Sequence, residues 1–116
     1  MAITEAYEMD GVTVGTTELS IVSGTTTLQT VTTAGVYQLW IDAGNMAKAD
    51  EFRVRLYEKV EATGGAKKVF SQWSLMGLQA EVFATPTFIL MHGWDMTIQK
   101  IAGTDRAFDC SIRKVG

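Results

Sequence analysis

The sequence predicts an all-β fold of about eight strands in one domain spanning residues 1–116, an antiparallel β-sandwich first, with a jelly roll or a small barrel matching the same pattern. Three observations predict it. Apolar and polar residues alternate with period two in most segments, most cleanly from Glu51 to Val60. There Phe52, Val54, Leu56 and Val60 fall on one side while Arg53, Arg55 and Lys59 fall on the other, a pattern that only extended chain produces. Turn residues return at fairly even intervals between these runs, and no segment carries the helical period over a useful length.

Taken in order, residues 1–10 read as a flexible N-terminal arm, with Ala2 to Met9 pairing late or not at all. A short strand follows between Gly11 and Gly15, and a longer one runs from Thr16 to Ser23. Ser23-Gly24-Thr25 is a turn, and Thr26 to Val31 reads as the returning strand. Branched threonine suits the pleat, and its hydroxyl suits water, so this Thr-rich third predicts an exposed sheet. Val36 to Asp42 is apolar on both faces, as in a central strand or one shielded by a partner. Asp42 to Asn45 is a turn, and Met46 to Asp50 suggests one helical turn leading into the amphipathic strand at Glu51. The glycines at 64 and 65 make a hairpin to a strand from Lys67 to Ser74, after which Gly77 marks a bend. Pro86 donates nothing to a ladder and belongs at a strand edge or entry, ahead of a buried strand from Phe88 to Met91. Gly93 marks a kink, and Trp94 to Ile101 alternates again. A tight turn at 102–105 leads to a last strand, Arg106 to Val115, with Phe108, Cys110 and Ile112 inward.

Composition bounds the function. A chain of 116 residues with 47% hydrophobic and 20% charged residues buries roughly 65% of its unfolded surface and needs no staple. No stretch reaches the ~20 apolar residues of a spanning helix, so no membrane partner is expected. The acidic opening Met1 to Glu8 has neither the basic nor the apolar region of a secretory signal, and with Cys110 as the lone cysteine it points to folding in a reducing cytoplasm. A net charge of -3 with no basic block argues against nucleic acid as a partner.

Catalytic, metal and cofactor sites are all expected to be absent. His92 is the lone histidine, no nucleophile constellation assembles around it, and it reads as a structural or interface residue. Cys110 reads as a small core residue, and structural zinc needs four ligands where this chain offers one Cys and one His. Asp95, Asp105 and Asp109 lack the dense Asp/Asn spacing of a calcium loop and read as turn caps or partners of Arg106 and Arg113. Gly64-Gly65 is followed by no helix start or Lys-Ser/Thr and is no phosphate loop. The large rings are more telling. Tyr37, Trp40, Tyr57, Trp73 and Trp94, with His92, form the candidate interface set, because one thin core does not hold both faces of the strand that carries Tyr37 and Trp40.

Several stretches, in order, carry a resemblance: Gly35-Val36-Tyr37-Gln38, then Asp50 to Lys59, then Leu90 to Lys100, and Ala102 to Arg106. The series resembles small virion structural proteins of tailed bacteriophages, the kind encoded beside the major capsid protein, over about the C-terminal two-thirds of the chain. The resemblance implies a capsid decoration (cement) protein with a jelly-roll-like sandwich and no catalytic residues. It implies binding to the outer shell, with the major capsid protein and neighbouring copies of itself as partners, as a homo-oligomer of two or three. The implied location is the virion surface, after synthesis in the host cytoplasm. The alternatives are a tail or head-to-tail connector component and a carbohydrate-binding sandwich that stacks sugars on Trp40, Trp73 or Trp94.

Overall fold

A single long hairpin, folded back on itself, generates the whole architecture. Residues 2–116 are described by a computed structural model. Its strands are β1 (Ile3–Val14), β2 (Leu19–Ser20), β3 (Gly35–Asp42), β4 (Glu51–Glu58), β5 (Lys68–Met76), β6 (Phe83–Ala84), β7 (Phe88–Leu90), β8 (Asp95–Ala102) and β9 (Arg106–Val115). Pairing is nested: β1 with β9, β2 with β8, β3 with β6 and β7, and β4 with β5, every pair antiparallel. Two further pairs, β3 with β9 and β4 with β8, join the nested hairpins side by side. The first sheet therefore runs β1-β9-β3-β6, with β7 also on β3, and the second runs β2-β8-β4-β5. That interleaving is a jelly roll. The short β6 and β7 share one lane along β3, split around Pro86, so among the described residues nine strands fill eight lanes.

The core lies between the sheets and is set by the alternation. Phe52, Val54 and Leu56 of β4 and Phe108, Cys110 and Ile112 of β9 all point inward and are buried. Fully burying one such side chain contributes about 1.5–3 kcal/mol. Phe52 and Phe108 meet edge to face across the sheets at 4.7 Å between ring centroids. β3 is central, as its two apolar faces predict, with Tyr37, Leu39 and Ile41 inward. Gly77, Gly93 and Gly103 all take positive φ at the expected bend, kink and turn.

Four expectations are corrected. The N-terminal arm is an edge strand: Ile3 to Asp10 belong to β1, paired from Ile3↔Val115 onward, while Met1 lies outside the described residues. Two register shifts, at Glu5/Tyr7 and Met9/Val12, break the alternation there and hid the strand. The second correction is in the Thr-rich third. β2 is two residues long, and Thr26–Val31 forms no strand but a strap attached at the Val31↔Trp94 bridge. Local hydroxyl bonding competes with the ladder: Ser23 Oγ donates to the Thr27 carbonyl at 3.1 Å and accepts from the Thr25 amide at 3.2 Å. Third, Met46 to Asp50 forms turns rather than a helical turn, closed by the Asp50 amide donating to the Ala47 carbonyl. Fourth, Val60 lies past the end of β4 and is 98% exposed, and Ile89 of β7 points outward.

Candidate functional site

Exposed apolar surface gathers on one side of the sandwich, where β5 of one sheet faces β6 and β7 of the other. The chain there is nearly free of charge: the 23 residues from Val69 to Met91 carry one charged residue, Glu81. Their inward rings close the open side of the sandwich. Trp73 lies 5.8 Å from Phe83 and 6.1 Å from Phe88, and Phe70 lies 5.4 Å from Phe88. Phe70 occupies the register shift opposite Leu56/Tyr57, which lets it lean toward β7. Around this cluster Val69, Phe70, Met76, Leu78, Val82 and Ile89 all remain exposed, Ile89 by 77% and Leu78 by 74%. Exposed apolar residues along a stretch with one charge have the composition of an association surface.

The predicted interface residues do not act as one set. Trp73 belongs to the apolar side just described. Tyr37 and Trp94 are corrected to core residues. Their rings pack at 4.5 Å, and Trp94 has no exposed surface. The Thr33 carbonyl accepts from both the Tyr37 hydroxyl at 2.8 Å and the Trp94 indole at 3.2 Å, so the strap supplies their polar partner. Burial pushes the Tyr37 hydroxyl pKa up. Trp40 lies on the outer face of the first sheet with the Arg113 guanidinium 4.4 Å above its ring. It borders a groove of about 500 Å³ ringed by Glu5, Glu8, Asp10, Asp42 and Asp109.

Tyr57 and His92 are tied down locally. The Tyr57 hydroxyl donates to Glu18 at 2.7 Å, the Thr97 hydroxyl donates to the same oxygen, and Arg55 sits 3.6 Å from it. Burial, then the Glu18 contact, pushes the Tyr57 hydroxyl up to about 12. These bonds fasten Glu18, just before β2, onto the outer face of the second sheet. His92 is half-buried, and its amide and that of Met91 donate to the Glu58 carboxylate at 3.0 and 2.8 Å.

The remaining chemical groups are separated. Asp95 is buried and accepts from Ser20 Oγ, the Gln29 amide and the Met96 amide, with burial raising its pKa. Asp105 pairs with Lys100, and Asp109 accepts from the Gly11 amide. The three carboxylates named from the sequence thus have three different sets of partners. Burial pushes the Cys110 thiol up to about 12, which leaves it protonated at neutral pH. Among the described residues, no three His, Cys, Asp or Glu side chains gather in a way that could hold a metal ion.

Sequence reasoning found Trp73 but missed the exposed residues around it. The signal available was the charge gap itself, since a surface strand without charges is unusual.

No family model matches the chain, and no curated protein matches it. Its structure is similar to the crystal structure of the Yersinia pseudotuberculosis-derived mitogen (YPM), with a TM-score of 0.50 at 11% identity, over 99% of this chain and 85% of that one. At that identity the likeness concerns the fold alone.

Proposed function

We propose that this chain is a non-enzymatic structural protein of a tailed-bacteriophage virion, a decoration (cement) protein that binds the outer capsid surface and braces the shell. The observation that carries the association half of this reading is the charge-poor apolar side formed by β5, β6 and β7. Such a surface stays soluble in use only when another protein covers it. The phage half is supported by the resemblance of the segments at 35–38, 50–59, 90–100 and 102–106 to virion proteins. Jelly rolls occur in viral capsid and lectin domains, so the fold is compatible with both and selects neither.

The ring environments weigh against the glycan alternative, and the groove weighs against a nucleic-acid partner. A glycan platform needs an open ring face, yet Trp94 is fully buried, Arg113 caps Trp40, and Trp73 packs against Phe83 and Phe88. The acidic groove on the first sheet repels a phosphate backbone. On a shell, each copy binds modestly and the repeating lattice multiplies the contacts.

The test is to add purified protein to capsids assembled without it. Saturable binding at a simple ratio to the major capsid protein, with raised heat tolerance of the particles, is expected. Failure to bind would contradict the reading. Replacing Phe70 and Ile89 together by Ser should weaken that binding by about tenfold or more, since two exposed apolar anchors are removed.

A further inference from the structure

Each sheet ends in two edges, and three of the four edges are guarded. β1 carries Glu5, Glu8 and Asp10 and is broken by two register shifts. β2 is two residues long. β6 and β7 are two and three residues long, interrupted by Pro86. Charges, bulges, proline and shortness are the devices that stop one sheet from adding to another. β5 is the exception. From Val69 to Met76 it has no charge, no proline and no glycine, its one irregularity is near its start, and Lys68 stands only at its first position. The backbone of Val69–Leu75 bonds to β4 and, among the described residues, to nothing on its other side.

We propose that the free edge of β5 pairs with β5 of a second copy, antiparallel across a two-fold axis. The two second sheets then join into one of eight strands, β2-β8-β4-β5 continued by the same order reversed. The occupant follows from the edges. An uncharged edge offers no charge pattern to select a different partner, and on another copy of this chain the unguarded match for β5 is β5 itself. An antiparallel strand meets its own copy with the same residues on both sides, which closes the assembly at two. Val69 and Phe70 are 42% and 46% exposed, and Met76 and Leu78 are 66% and 74% exposed, so edge pairing would cover apolar side chains beside the strand on both copies. This rests on reading the β5 side as an association surface and is independent of the capsid.

Gln72 lies near the middle of the edge and opposite Arg55 of β4. Gln72→Glu therefore gains a cation within its own subunit, while across the two-fold it sets carboxylates close together. Sedimentation and light scattering of the full chain should give a mass of two subunits. Gln72→Glu should weaken the dimer about tenfold or more, with an unchanged thermal midpoint for the monomer. Cysteine at 72 should form a disulfide-linked dimer on mild oxidation, since native Cys110 is buried, whereas cysteine at the exposed Thr13 on β1 should not. A monomer at all accessible concentrations, a trimer, or a dimer indifferent to Gln72→Glu and not cross-linked from 72 would overturn the proposal. A monomer that still binds shells would overturn this pairing and leave the capsid reading standing. A dimer that binds no shell would do the reverse.

Discussion

At the scale of single residues, two carboxylates pull in opposite directions. Asp50 is nearly buried and accepts from the Ala47 amide at 2.8 Å, the Thr104 amide at 3.0 Å and Arg106 Nε at 2.7 Å. Those donors hold its pKa down at about 2, against an ordinary 3.8. A depressed carboxyl stabilises the fold fully above its unfolded value and loses that contribution as pH falls through the folded one. Asp95 has its pKa raised by burial, so its charge opposes folding at neutral pH and protonation relieves it. Asp50→Asn should lower the neutral-pH unfolding midpoint and flatten its decline between pH 3.8 and about 2, as read by denaturant titrations across that range. An equally steep decline in the variant would assign the acid sensitivity elsewhere. The tryptophans divide in the same residue-by-residue way. Trp94→Ala should cost about 3–5 kcal/mol of stability, since it empties a filled core. Trp40→Ala, on an outer face, should leave the fold intact and cost less than about 1 kcal/mol. Chemical unfolding of the two variants separates them.

At the scale of elements, strict alternation was readable and interrupted alternation was not. β4 and β9 keep one register along their inward residues, so Phe52, Val54, Leu56, Phe108, Cys110 and Ile112 were legible as core. β1 changes face at two register shifts, so Tyr7 and Met9 before the second shift and Val12 and Val14 after it fit no single period. Hydroxyl bonding around Ser23 and Thr25 turned an apparent Thr-rich strand into a strap, a choice that propensity alone does not settle. The strap covers Asp95 through the Gln29 amide while Glu18 and β2 cover Thr97, so both are buried along with the inward Met96 and Ile98. Because β1 is structural, deleting residues 2–10 should destabilise the domain by more than about 3 kcal/mol, as losing a buried residue such as Met9 is already costly. Thermal melts of the truncated chain check this. A melt unchanged from the full chain would return these residues to the role of a free arm.

At the scale of the molecule, strand order arises from pairings that join the ends of the chain, such as Ile3↔Val115, and no local pattern reveals them. Strand number and spacing pointed to a sandwich, while the nested order that makes it a jelly roll needed three dimensions. The candidate site was legible in part for a related reason. Trp73 stood out as a large ring, but the surface around it is defined by what is missing, one charge among 23 residues, and by two sheet edges meeting. The body measures 41 × 32 × 20 Å, with exposed apolar residues along the β5 side and an acidic groove on the outer face of the first sheet. The function proposed for this protein is that of a capsid-wide structural component. Its most direct test is the number of copies per major capsid protein in purified particles of the virus that encodes it, by quantitative mass spectrometry. A ratio near one, or a simple fraction set by capsomer symmetry, is the expected result. A handful of copies per particle, or none, would contradict it.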